Sequence, residues 1–238
     1  MTTHTYGRRV NHDPRARFFA HVPPSNWVHK PVRWDTAGHV LNQGDVGACV
    51  LYTAAAYLNT VPLYTPGTSL ATGDDALGWY EETTGRDPYP GQWFRDGRDE
   101  SEDTGTDMTS AAKTLRKHGL IRAFSHALGL DATLASLQTG PVAVGLQWVT
   151  GMERPTLAAD GNGGARAVMH LDGETVSGHE TLLVADNAED AVLVLNSWGP
   201  AWPDIDAVKR GDPGRAWMPY DVLRDRLAHD GDAMILHK

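Results

Sequence analysis

Two apolar segments, 180–186 and 191–195, flank Asn187-Ala188-Glu189-Asp190, and this arrangement constrains the chain more than any other part of it. The four connecting residues have the length and composition of a hairpin turn, so the flanking runs are expected to pair antiparallel. That pairing sets His179, at the start of one strand, beside Asn196, at the end of the other, and lets residues 17 apart share a hydrogen bond. The chain's one cysteine adds a second constraint. Residues 48–58 lack Gly and Pro and are rich in Ala and Leu, so they read as a helix with Cys49 in its first turn. The positive end of a helix dipole favours the thiolate over a thiol whose ordinary pKa is about 8.5.

A thiolate, an imidazole and a residue that orients the imidazole are the parts of nucleophilic catalysis at a carbonyl carbon. Gln43-Gly44-Asp45-Val46-Gly47-Ala48-Cys49, His179 and Asn196-Ser197-Trp198-Gly199 follow one another in the order Gln, Cys, His, Asn. This pattern resembles the papain-like cysteine peptidases, in particular bacterial and phage members without a long propeptide. The resemblance is strong over 39–58 and 178–202 and weak elsewhere. It implies Cys49 as nucleophile, His179 as the base that later protonates the leaving amine, and Asn196 as the residue orienting His179. It also implies an oxyanion hole made by the Gln43 amide and the Cys49 backbone N–H, with Trp198 and Trp202 as supporting rings. Substrate contacts are implied at Gly47, Gly105, Met108 and Gly178. Two positions depart from the family pattern: Val46 stands where secreted members commonly have a cysteine, and Val50 where a tryptophan is usual.

The implied fold class is α+β, a two-lobe papain-like fold with the nucleophile helix of a helical lobe packed against an antiparallel β lobe. The expected divisions are an extended N-terminal arm over 1–38, a helical lobe over 39–130 carrying Cys49, and a β lobe over 131–238 carrying His179 and Asn196. Pro14, Pro23, Pro24 and Pro31 make the arm extended rather than helical. Papain-like proenzymes carry a longer helical inhibitory segment, so Cys49 is expected to be uncovered and controlled by location, substrate access or assembly. A second helix is expected over 109–117, and 64–104 reads as a loop. The Gly-rich stretch 160–164 reads as a hairpin or insertion and lacks the acidic ligands of a calcium loop. Strands are expected from Gly140, around 216–220 and over 233–236, with a helix over 221–227.

At 238 residues with 41% hydrophobic content, the chain is long enough to bury a substantial core. No apolar run approaches the ~20 residues of a membrane span, and the polar start has no features of a signal peptide. A cytoplasmic location is expected, or a virion if the chain is phage-encoded. A net charge of −9 argues against general nucleic-acid binding. Charge is unevenly spread: 72–107 carries −8 and the first 40 residues +4, so the basic arm is a candidate to dock on an acidic protein partner. No cofactor is expected, and no metal, since no His-Glu-x-x-His pattern occurs and Cys49 has no cysteine partner.

The activity implied is hydrolysis of peptide bonds in a polypeptide substrate through an acyl-thioenzyme. Two alternatives differ in class. A cell-wall peptide amidase would use the same Cys-His pair but generally at a separation much shorter than 130 positions. A non-catalytic papain-like scaffold, structural or binding, would not need Gln43, Cys49, His179 and Asn196 together. The resemblance places the selectivity pocket near Met108, Val142 to Val144, Gly178 and Glu180, which suggests an apolar or aromatic substrate side chain.

Overall fold

The computed structural model describes residues 5–11, 13–22, 25–97, 103–159, 164–203 and 211–238. In chain order the elements are β1 (Val32–Arg33), α1 (Cys49–Leu58), α2 (Gly73–Thr84), α3 (Met108–Lys117), β2 (Ala123–His126), α4 (Leu130–Leu137), β3 (Val142–Val149), α5 (Thr150–Glu153), β4 (Thr156–Ala159), β5 (Ala165–Val168), β6 (Thr175–Asp186), β7 (Ala191–Leu195), β8 (Arg215–Pro219), α6 (Tyr220–Ala228) and β9 (Asp232–His237). The strands form one sheet in the order β2-β9-β3-β6-β7-β8-β5-β4, with β1 pairing onto β6. Among the described pairings between these strands only β5 with β8 is parallel.

The near-continuous apolar runs of β3, β6 and β7 arise because both faces of this part of the sheet are covered. Side chains alternate between two cores along each strand. Ala143, Leu182, Leu193, Leu195, Met234 and Leu236 face a core shared with α1, α2 and α3. Val142, Val144, Leu183, Val192, Val194 and Ile235 face a second core with α4, α6 and a group of tryptophans. The expected hairpin is present: β6 pairs antiparallel with β7, matching Leu182 to Leu195 and Asp186 to Val192.

Helix α1 runs against β6 and is buried over most of its length. Ala54 and Ala55 are fully buried, and their lack of bulk lets the helix axis approach the strand. Thr53 Oγ1 donates to Glu180 O at 2.9 Å, one turn beyond Cys49. Tyr57 OH donates to Pro141 O and accepts from Leu236 N at 3.2 Å, tying the helix to the chain entering β3 and to β9.

Two local expectations differ from the structure. Residues 73–84, read as loop, are helix α2, because Thr72 and Asp75 form a reciprocal capping box that offsets a weak helical composition. The arm contains a 3₁₀ helix, Pro14–Phe19, which Asp13 caps and Pro14 starts, so its prolines open a short helix instead of keeping the whole arm extended. The Gly-rich expectation over 160–164 falls largely outside the described residues. Helix α3 begins at Met108, where Asp107 accepts from Ser110 N.

Tyr57→Phe removes a hydroxyl that satisfies two buried backbone groups. Leaving them unpaired is expected to cost about 1–3 kcal/mol, read as a lowered urea midpoint with an unchanged slope. An unaltered midpoint would show that the tie does not hold α1 against the sheet.

Candidate active site

Cys49 opens α1 without a side-chain cap, and the Val50 backbone N–H of the first turn hydrogen-bonds its sulfur. Its residue is fully buried. His179 lies on β6 beside the end of β7, and its Nε2 is 2.8 Å from Asn196 Oδ1. That oxygen also accepts from Ser197 N at 2.7 Å, which fixes the amide with its oxygen toward the ring. Because a carbonyl oxygen only accepts, Nε2 carries the proton and Nδ1 is the basic nitrogen of neutral His179.

Aromatic rings enclose the imidazole. Trp198 stacks on it with ring centroids 4.6 Å apart, and Trp148 meets it edge-on at 4.8 Å. Trp202 stands one ring further out, 5.8 Å from Trp198 and 6.1 Å from Trp148. Trp148 was not among the residues singled out in the sequence; its signal there is only its place in the apolar run of β3.

Gln43 is held by the turn that carries Asn196. Its Oε1 accepts from Ser197 Oγ at 2.7 Å, and its backbone N donates to Ser197 O at 2.9 Å. The Nε2 group is thereby pointed away from Ser197, donating to Val46 O at 2.8 Å and Thr5 O at 3.2 Å. The serine of Asn-Ser-Trp-Gly is thus the residue that orients the amide, a role sequence reading did not assign. Asp103, counted there only as acidic surface, accepts from Gly47 N at 2.7 Å and from Tyr80 OH, so it braces the loop before Cys49.

Residues 5–9 of the arm lie across this assembly. Gly7 O accepts from Thr106 N at 2.8 Å, Arg9 N donates to Thr106 O at 2.8 Å, and Arg8 N donates to Gly178 O at 3.1 Å. Arg8 and Thr106 form a parallel bridge. Tyr6 packs edge-on against both His179 and Trp198, at 5.5 and 5.6 Å. A Cβ on Gly7 would lie 1.7 Å from Gly47 O, so only glycine passes here. Gly47, Gly105 and Gly178 all border the arm, where an added Cβ would meet arm backbone. Met108 lines an adjoining cavity of about 410 Å³ together with Asp107, Asp232 and residues of the arm.

The arm corrects two expectations. Cys49 is covered, because a short extended segment suffices to fill the groove where a long helical one was thought necessary. Its thiol is also not acidified: burial, followed by the nearby Glu180 carboxylate, pushes it up to about 12, against backbone hydrogen bonds from Glu180, Gly7 and Val50 that favour the anion. The group meeting the sulfur from the arm is an amide N–H, which offers no carbon for attack.

No family model matches the sequence, and no curated protein matches it. Among solved structures the chain is similar to xylellain, a cysteine protease from Xylella fastidiosa, with a TM-score of 0.68 at 17% identity over 100% of this chain and 98% of that one. The fold is papain-like. It is also similar to the ragweed pollen allergen Amb a 11, a cysteine protease in its proform, with a TM-score of 0.55 at 17% identity over 90% of this chain and 67% of that one. A third similarity is to a recombinant stem bromelain precursor, with a TM-score of 0.51 at 13% identity over 97% of this chain and 74% of that one. The papain-like fold accounts for the α+β class, with α1 packed on an antiparallel part of the sheet.

Gly7→Val in the full chain is expected to expel the arm and expose Cys49. Each unit by which the thiol pKa falls below about 12 raises the thiolate fraction tenfold near neutrality, so iodoacetamide should alkylate the variant at least about 10²-fold faster than the wild type at pH 8. Equal, slow rates by intact-mass measurement would mean that the arm is not what protects the sulfur.

Proposed function

We propose that the chain is a cysteine endopeptidase whose own N-terminal arm holds it inactive. The observation that carries this reading is a polypeptide segment, residues 5–9, lying across a groove that holds Cys49 beneath it and the His179–Asn196 pair beside it. A groove that pairs with extended backbone on both sides is suited to a peptide substrate.

With the arm displaced, the Cys49 proton passes to His179 Nδ1 and the sulfur attacks the scissile carbonyl carbon, forming a C–S bond. The oxyanion is met by the Gln43 amide and the Cys49 backbone N–H. The C–N bond then breaks, with His179 giving its proton to the departing amine. Water, deprotonated by His179, opens the thioester, releasing the acid and restoring the thiol. Asn196 keeps the imidazole plane fixed throughout, and Trp148 and Trp198 keep water from its hydrogen bond. In the arm-bound pose Gly7 meets the sulfur with its N–H rather than a carbonyl carbon, so the arm persists without being cut.

On the Gly7→Val background, Cys49→Ala is expected to abolish cleavage of a denatured protein while leaving the melting temperature nearly unchanged. Gln43→Ala should lower kcat by roughly 10²–10³ with a much smaller effect on KM, as for other oxyanion donors. Ser197→Ala should lower kcat in the same direction but less, since it releases the amide without deleting it. Cleavage by the Cys49→Ala protein at an undiminished rate would refute the peptidase reading, and a change in KM alone would remove Gln43 from the oxyanion hole.

A further inference from the structure

The side chain that the arm sends into the molecule is Arg8, fully buried although charged. Its Nη2 donates to Asp230 O at 2.7 Å and to the Asp232 carboxylate. The floor beneath it is a single row across three neighbouring strands: Glu180 on β6 is registered with Gly145 on β3, and Gly145 with Asp232 on β9. A Cβ on Gly145 would lie 2.5 Å from Arg8 Nε, 2.6 Å from Glu180 Oε2 and 3.0 Å from Asp232 Oδ2, so the three groups converge on the space this glycine leaves. Glu180 is fully buried, and neither of its carboxylate oxygens has a hydrogen-bond partner among the described residues.

A buried carboxylate without a cation is strongly disfavoured, so an acid aimed into a groove selects what enters it. The Glu180 carboxyl is raised well above the usual range by burial and then by Asp232, opposed by Arg8. Val142 and Val144, expected to line an apolar pocket, belong to the core on the opposite face of the sheet.

We propose that the Glu180–Gly145–Asp232 row is the substrate-selecting pocket, specific for arginine or lysine, and that Arg8 occupies it as the chain's own surrogate for that residue. The proposal rests on the peptidase reading for its meaning as specificity. In the arm, the residue at the sulfur is Gly7 and its neighbour fills the pocket. Arg8 follows Gly7 in the chain, and the arm meets the sulfur with the Gly7 N–H. A substrate that puts a scissile carbonyl there therefore runs opposite to the arm and presents to the pocket the residue preceding the one at the sulfur, the second before the scissile bond. A guanidinium here pairs with Asp232 and opposes electrostatically the cost of the buried Glu180 carboxyl, whereas a leucine would do neither.

The full-length Gly7→Val, Arg8→Ala protein frees the groove of the arm's backbone and the pocket of its side chain, and supplies the test. Against fluorogenic peptides differing only at the second residue before the scissile bond, Arg is expected to exceed Leu in kcat/KM by roughly 10²-fold, the scale of a desolvated charge pair. Glu180→Gln in that background should bring the ratio near one; if it does not fold, Asp232→Asn, at a partly exposed position, should lower it. A second readout needs no catalysis: Nα-acetyl-arginine amide should raise the melting temperature of the full-length Gly7→Val, Arg8→Ala, Cys49→Ala protein, and Nα-acetyl-leucine amide should not. Cleavage with Leu equal to or better than Arg would overturn the pocket and leave the peptidase standing. Thermal stabilisation by the arginine amide alone, with no peptide cut, would support the pocket and overturn the peptidase. Neither cleavage nor stabilisation would overturn both.

Discussion

The seam between α1 and β6 is the interaction on which the rest of the structure depends. Glu180 alone serves it three ways: its backbone N–H reaches the Cys49 sulfur, its carbonyl accepts from Thr53, and its side chain enters the pocket. The seam exists because α1 presents Ala54 and Ala55 where a larger side chain would push the helix away. With the helix seated, the sulfur and the imidazole of the adjacent residue on β6 are set by the pleat of one strand.

A second joint, between Gln43 and Ser197, closes the site from the other side. It links segments 154 residues apart by a backbone and a side-chain hydrogen bond, both involving the turn that also holds His179. The Gln43 amide and the His179 imidazole are therefore positioned by one element. Such preorganisation is what electrostatic stabilisation of a developing charge requires.

The arm balances electrostatic demands that the groove creates. Arg8 pairs with Asp232 and opposes the burial cost of the nearby Glu180 carboxyl, and Tyr6 extends the aromatic enclosure of His179. Among the arm's cations, Arg8 meets Asp232 and Arg33 meets Asp212. The docked arm also leaves the thiol neutral, because a low-dielectric surrounding disfavours its anion.

What sequence determined by itself was local and periodic. The hairpin that brings His179 to Asn196 follows from two apolar runs and a four-residue turn, and the Cys49 helix from an alanine-rich stretch without breakers. The motif residues came from resemblance. Helix α2 escaped because its signal is a capping box in front of a polar segment, and hydrophobic periodicity does not register it. Only tertiary structure decided the role of Ser197, the enclosure by Trp148 and the row of Glu180, Gly145 and Asp232. Each of these joins residues from separate elements, and strand register and chain direction through a groove are settled by the packing of the whole sheet. Neither the coverage of Cys49 by residues 5–9 nor the destination of Arg8 has any local signature, because both arise where a buried charge finds its counterion across more than 170 positions of chain.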